Sequence, residues 1–382
     1  MNAKLLFVVT EDWYFVSHRL QLAVAAREAG FDVAVATRVN QHAATIRAAG
    51  IRLIPFELSR RSGNPLREIW ALLRLYRQEK PDIVHHVALK PVLFGSLAAR
   101  IVRGPICVNA VAGLGWLFTS GNGLLGAIRP LLHWTLARIL DHERSLTITQ
   151  NPDDAQLLRR SGVNSTRLRL IRGAGVNLAD FAPAHTRPAG IPVVMLASRM
   201  LWSKGVEEFI AAAHTLNATN IKARFVLVGE PDPANPGAVP VTRLNKWHGT
   251  HGIEWWGHSN TMSETYAQAH IACLPSFYGE GIPKTLLEAA ACGLPIITTD
   301  TPGCREVVQQ GVNGLLIPPR NAQALTEALA QLIIDPALCH RFGQQGRIRA
   351  KREFSESIIN TQTLAVYQEA LSLCHTRTTT CI

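Results

Sequence analysis

Charge is scarce in this chain: 18% of its 382 residues are charged, against 47% hydrophobic. Such a composition buries sizeable cores and leaves no region reading as disordered. Long apolar runs are also missing. No window reaches the roughly 18 apolar residues of a membrane-spanning helix. The opening run from Leu5 to Thr10 ends at Glu11 and Asp12. It is too short for a signal-peptide core and has no small-residue cleavage site, so it reads as a first buried strand. The seven cysteines (Cys107, Cys273, Cys292, Cys304, Cys339, Cys374, Cys381) are odd in number and show no C-x-x-C spacing. That argues against a disulfide framework or a zinc site and for reduced thiols in a cytosolic protein. No D-x-D occurs, so a carboxylate pair holding a metal on a diphosphate is not supported. There is no RNP-like aromatic motif, no zinc-finger spacing, no Lys-rich tail and no short internal repeat. Nucleic acid is therefore not expected as a partner. Only the tail His375–Ile382 reads as a fraying end.

What charge there is lies unevenly. The net formal charge is +11, and residues Met1–His185 hold 23 Lys and Arg against 13 Asp and Glu, while the remainder is nearly neutral. An anionic surface would be met by the first half, and an anionic bilayer is the expected one.

Apolar runs bounded by turns alternate with helical patterns along the whole length. Strands are expected at Lys4–Thr10, Asp32–Thr37, Arg52–Pro55, Ile83–His86, Cys107–Val111 and Leu146–Thr149, with helices such as Arg19–Ala29, Asn64–Gln78 and Pro152–Ser161 between them. The scheme repeats with strands at Val193–Ala197, Ala223–Val228, Ile253–Trp256, Ile271–Leu274, Ile296–Thr299 and Gly314–Ile317. Asn321 caps a helix Ala322–Ile334, and Asp232–Pro240 is a Pro-rich loop. This is α/β architecture: two doubly wound, Rossmann-like parallel sheets with a cleft at the carboxyl ends of their strands. The Pro/Ala/Gly-rich stretch Ala182–Pro192 reads as the linker.

The richest segment is Glu280-Gly-Ile-Pro-Lys-Thr-Leu-Leu-Glu288-Ala-Ala-Ala-Cys-Gly-Leu-Pro295. Gly281 permits close backbone approach, Pro283 suits the first helical turn, and Gly293-Leu294-Pro295 stops the helix. A helix start favours an anion. One acid stands before it and one inside it, as hydroxyls of a sugar and a ribose would require. A second motif, Ser198-Arg199-Met200-Leu201-Trp202-Ser203-Lys204-Gly205, follows a strand. Arg199 and Lys204 could clamp a diphosphate, Arg by its fork and Lys as a point charge; a solvated loop pair is the plainer reading of the motif alone.

These segments resemble the E-x7-E and R-x4-K signatures of the family-four retaining glycosyltransferases of GT-B fold, closest to the bacterial surface-polysaccharide branch acting on undecaprenyl-diphosphate-linked sugars. The resemblance implies that Arg199, Lys204 and Glu280 act at the reacting centre. It places Glu288 on the ribose, and Gly281, Ile282 and Lys284 at the diphosphate. Gly229 and His258, at the ends of two strands, would flank the base, whose identity the family reads largely through backbone groups. It implies an acceptor-binding domain over 1–178, completed by a helix 356–373, and a donor-binding domain over 190–355. No metal or other cofactor is expected; the nucleotide-sugar is a substrate.

Three further regions follow. Asp82–Pro91 is a strand running into His85, His86 and Lys90. Where relatives often carry H-x-H, this chain has adjacent histidines. His86 is the candidate for orienting or deprotonating an acceptor hydroxyl, with Lys90 on the acceptor diphosphate, although core histidines are an equal reading. Trp13–Leu20 offers Ser17 as an N-cap and His18 and Arg19 as acceptor-phosphate ligands. The aromatics there touch lipid or sugar, or pack in the core. Gly121-Asn-Gly-Leu-Leu-Gly126 fits G-x-G-x-x-G but does not follow the first strand, so dinucleotide binding is not inferred. The surrounding Trp116–Leu140 stretch reads as a membrane-facing helix or as a core helix. The expected function is transfer of a sugar, with retention, from a UDP-sugar to a lipid-linked saccharide at the inner face of the bacterial cytoplasmic membrane, in lipopolysaccharide or capsule assembly. The alternatives are a non-hydrolysing 2-epimerase of the same fold, a glycoside hydrolase using paired carboxylates, or a nucleic-acid-binding protein.

Overall fold

The computed structural model describes residues 2–58, 63–111, 113–114, 124–186, 188–219 and 221–375, with side chains 124–130, 132, 374 and 375 excepted. The G-x-G-x-x-G glycines Gly121 and Gly123, the first part of the Trp116–Leu140 stretch and the tail beyond 375 lie outside the described residues. Among those described, the chain forms two compact units: Met1–Gly175 with Glu356–Ile382, and Val176–Ser355. The Ala182–Pro192 stretch, read from composition as a linker, belongs to the second unit. Proline there stiffens a segment of one body; the chain passes from one unit to the other at Gly175.

The first unit is a seven-stranded parallel sheet: β1 (Lys4–Glu11), β2 (Asp32–Arg38), β3 (Arg52–Pro55), β4 (Ile83–Val87), β5 (Ile106–Val111), β6 (Ser145–Thr149) and β7 (Leu168–Leu170). Their spatial order is β3-β2-β1-β4-β5-β6-β7. Central strands β1, β4, β5 and β6 are buried on both faces, as continuous apolar runs in a parallel sheet must be. Caps set the helices between them. The Asn64 side chain accepts the Leu66 N–H (3.0 Å) ahead of Pro65–Glu79, and Asn151 accepts the Asp154 N–H (2.8 Å) ahead of Pro152–Arg160. The helix Glu356–His375 completes this unit. It adds Ile359, Val366, Tyr367 and Ala370 to the cluster that holds Leu5, Phe7, Ile83 and Val108.

Two expectations fail here. The helix expected at Arg19–Ala29 is present as Leu20–Glu28, but the turn before it is itself a helix, Asp12–His18. Ser17 therefore sits inside that earlier helix and caps neither; its hydroxyl meets His18 Nδ1 (2.6 Å) and the Tyr14 carbonyl. His86, read as facing a cleft, lies in the core at 0% exposure. Its Nε2 meets the Tyr76 hydroxyl (2.8 Å) and its Nδ1 the Asn109 side-chain oxygen (2.7 Å). His85 points to the opposite face, stacked on Phe7 and bonded to the Tyr367 hydroxyl (2.7 Å). Side chains alternate along a strand. On a central strand covered on both faces, two adjacent histidines must both be interior.

Burial lowers His86 from 6.5 to about 4, and its bond to Asn109 opposes this only in part. The ring stays neutral when folded and takes a proton near pH 6.5 when unfolded. Its contribution to stability is complete above pH 6.5 and is lost as pH falls toward 4, by about 3 kcal/mol. His86→Gln should remove that part of the acid sensitivity. In denaturant unfolding, the stability difference between wild type and variant should shrink by this amount on going from neutral pH to about pH 4. A difference that stays constant would mean that His86 titrates normally.

The second unit is a six-stranded parallel sheet: β8 (Val193–Ala197), β9 (Arg224–Val228), β10 (Ile253–Gly257), β11 (Ile271–Leu274), β12 (Ile296–Thr299) and β13 (Gly314–Ile317). Their order is β10-β9-β8-β11-β12-β13. Asn321 caps Ala322–Ile334 through the Ala324 N–H (2.9 Å). In each sheet the strand order reverses once, between β1 and β4 and between β8 and β11. Ligands of such sheets bind outside the carboxyl ends of the strands at that reversal.

Candidate active site

The reversal in the second sheet collects the chemistry. From β8 the chain enters Ser198–Arg199 and a single 3₁₀ turn, Trp202–Lys204, which Gly205 ends in the left-handed region at φ 75°. A Cβ there would strike the Pro275 carbonyl, so glycine is what lets the β8 loop lie against the β11 loop. Lys204 Nζ forms an ion pair with Glu280, 76 positions away; the two side chains are 13% and 19% exposed. The other Glu280 oxygen accepts the hydroxyl of Ser276 (2.7 Å), which is fully buried. The Phe277 N–H bonds to the Ser203 carbonyl (3.1 Å), tying the loops together by backbone. Below them Thr299 donates to the Ser276 carbonyl and Thr298 to that of Leu274 (2.7 Å). Gly303, at φ 84°, packs its α-carbon on the Glu280 and Gly281 carbonyls.

The helix after this loop is Lys284–Ala291, with Pro283 as its N-cap (φ −65°, ψ 120°) and not within the first turn. Proline needs no donor there. The N–H groups of Gly281 and Thr285 have no acceptor among the described residues. Glu288 is 7% exposed, with Lys284 Nζ 3.8 Å from its carboxylate. Tyr266 donates to the Thr285 carbonyl (3.0 Å), and burial with the nearby Glu288 charge holds its hydroxyl well above its ordinary pKa. Burial, and then Glu280, push Tyr278 up to about 12. Both phenols stay neutral beside the acids.

Arg199 is turned toward Asp232 (2.8 Å). Gly229 ends β9 at φ 127°, where a Cβ would meet the Ser198 carbonyl, and its own carbonyl accepts the Trp255 indole N–H (2.8 Å). His258 is exposed just past β10. A carboxylate has about four lone-pair sites and a lysine three donors. Beside Lys204 and Ser276, Glu280 is by type an acceptor for a hydroxyl, and Lys204 a donor to an oxyanion. Ser276 and the threonines beneath it were not singled out from sequence. Their only signal was position, at the carboxyl end of β12 for the threonines and just past that of β11 for Ser276.

At the reversal in the first sheet, Lys90 begins the helix Leu89–Val102 and pairs with the buried Glu68 (2.7 Å). Ala88, just before it, holds φ 75° and ψ 163°. That region is essentially glycine's own, and residues forced into it concentrate at functional sites. His18 stacks on Tyr14 with ring centroids 4.1 Å apart. Arg19 is 5% exposed and has no carboxylate partner among the described residues.

Residues 180–349 match the family model described as glycosyl transferases group 1, and residues 4–141 the one described as glycosyl transferase 4-like. The N,N'-diacetylbacillosaminyl-diphospho-undecaprenol alpha-1,3-N-acetylgalactosaminyltransferase of Campylobacter jejuni is 27% identical over 92% of this chain and 95% of its own length. Among solved structures, sucrose-phosphate synthase from Thermosynechococcus elongatus superposes with a TM-score of 0.78 at 21% identity, covering 97% of this chain and 100% of that one. HepE of Anabaena, solved with UDP-glucose, superposes at 0.76 and 16% identity, covering 96% and 99%. The fold is GT-B.

Proposed function

The chain belongs to the glycosyltransferases, its second half of the group 1 type and its first half 4-like, and from that membership we propose that it moves a sugar from a UDP-sugar to an undecaprenyl-diphosphate-linked saccharide, with retention and without a metal. The observation that carries the reading is the Lys204–Glu280 pair at the β8/β11 reversal, beside a helix start.

In this reading the donor diphosphate takes the N–H groups of Gly281 and Thr285, with Lys204 and Arg199 as its cations. Glu280 accepts a hydroxyl of the transferred sugar and Glu288 the ribose hydroxyls. The bond from the sugar's anomeric carbon to the diphosphate oxygen breaks. The acceptor oxygen bonds that carbon, and its proton passes to the departing diphosphate. Lys204 and Arg199 offset the charge that grows on that leaving group. His86 takes no part, being in the core. His18, Arg19 and Lys90 serve the acceptor diphosphate. A buried guanidinium with no carboxylate partner is costly unless an anion meets it, which suits Arg19 to that role.

The donor is an N-acetylhexosamine or a related hexose. This follows the Campylobacter relative, whose name specifies an N-acetylgalactosaminyl transfer onto a lipid diphosphate. Among the described residues no helix is long and apolar enough to cross a membrane. With the basic first half, this supports a peripheral place on the inner face of the bacterial cytoplasmic membrane, in polysaccharide or glycan assembly. The test is a panel of nucleotide sugars with a polyprenyl-diphosphate saccharide, with and without chelator. UDP release that needs the acceptor and ignores the chelator is expected. Conversion of the donor to its C2 epimer without acceptor would make the protein an epimerase, and loss of activity with chelator would overturn metal independence.

A further inference from the structure

The proposed transfer makes no use of a cavity of about 340 Å³ at the amino-terminal edge of the first sheet. Arg100, Arg103, His142, Glu143 and Arg144 line it, with Cys107 in its wall. The guanidiniums are placed by backbone. Arg100 donates to the Ile139 carbonyl (2.9 Å) and to that of Arg138, at the end of the helix Leu124–Leu140. Arg144 donates to the Gly104 carbonyl. Arg103 ends the helix Leu89–Val102 in the left-handed region at φ 57°. Among the described residues neither Arg100 nor Arg103 has a carboxylate partner, and the Arg100 Nε is buried without a hydrogen bond. An arginine presents five N–H donors, so these groups have donors to spare.

The charges act on their surroundings. Burial lowers the His142 pKa, and the Arg100, Arg144 and Arg167 charges lower it further, against the single opposing acid Glu143. Burial pushes the Cys107 thiol up to about 12, so that wall is neutral.

The same two helices leave large apolar groups in water: Leu97 and Ile101 on the first, Leu131 and Trp134 on the second, the last two 60% and 56% exposed. The Arg138 guanidinium lies 5.6 Å from the centre of the Trp134 ring. A free phosphate or nucleotide would have no use for these exposed apolar groups. Apolar groups beside cations suit the headgroup boundary of a bilayer.

We propose that the Arg100–Arg103–Arg144 cavity holds the phosphate headgroup of an anionic phospholipid, with Leu97, Ile101, Leu131 and Trp134 entering the acyl boundary. This rests on the peripheral-membrane reading above. The Leu124–Leu140 helix would then lie along the surface for about 25 Å, its far end toward the carboxyl edge where the acceptor residues stand.

The test uses the full chain with vesicles of phosphatidylcholine alone or mixed with phosphatidylglycerol, and matching vesicles with brominated acyl chains. Wild type should bind the mixed vesicles, and brominated chains should quench a component of its tryptophan fluorescence. Trp134→Ala should lose that component. Arg103→Glu should weaken binding on the order of tenfold, while Arg67→Glu, at an exposed position on the helix Pro65–Glu79, should have a much smaller effect. Thermal unfolding checks the folds. Arg103→Asn, which tolerates the left-handed backbone, should weaken binding too and stands in if the reversal misfolds. Equal losses from Arg67→Glu and Arg103→Glu would mean diffuse attraction and overturn the cavity site alone. Absence of wild-type binding to anionic vesicles would overturn the membrane reading itself.

Discussion

Lys204→Ala is expected to lower kcat by about 10²–10³-fold, with a much smaller change in donor KM. The effect falls on kcat because the lysine's charge meets an oxyanion that develops as the glycosidic bond breaks. The substitution also leaves Glu280 half-buried without its cation, so a second loss is expected in the stability of the second unit. The two separate cleanly: a pre-steady-state measurement on folded protein reads the first, thermal unfolding the second. A kcat within twofold of wild type in a well-folded variant would remove Lys204 from the reacting centre.

A comparable loss of activity should come from Gly303→Ala, which touches no substrate in the proposed reading. A Cβ on Gly303 would lie 2.6 Å from the Glu280 carbonyl and closer still to that of Gly281. Neither is a flexible side-chain end, so the loop carrying Glu280 must move. A displacement near 1 Å at a positioned group can cost on the order of 100-fold in rate. Gly249→Ala is the control. It has the same left-handed strain at φ 79° but nothing within 4 Å of its Cβ. It should lose a fraction of stability and keep its kcat. Equal activity in the two variants would show that the Gly303 contact does not set the position of Glu280.

The parts of this fold that were legible were local. Strands β8, β11, β12 and β13 begin and end where apolar runs meet turn residues, because a buried parallel strand announces itself as such a run. The Asn321 cap was equally plain. What escaped was long-range. The Arg199 and Lys204 motif and the two glutamates could be found by spacing, but nothing local says that Lys204 pairs with Glu280 while Arg199 turns to Asp232. Ser276 is an ordinary residue until the sheet brings Ser203 and Glu280 to it. His86 was misjudged although the means to place it were present: β4 lies inside the strand order, so both of its faces are covered. Ser17 failed as a cap because the preceding segment is itself helical, which no preference for serine at helix starts could reveal.

The helix Glu356–His375 has a consequence for how the protein is made. Its side chains belong to the core of the first sheet, yet it is translated after all of Val176–Ser355. On the ribosome the second unit can complete itself while the first keeps an open apolar groove where Val366 and Tyr367 will dock. At about 5–20 residues per second that wait lasts on the order of ten seconds or more. Nascent chains should therefore carry a chaperone-binding surface at the first unit, and removing Glu356–His375 should unfold the sheet that holds β1.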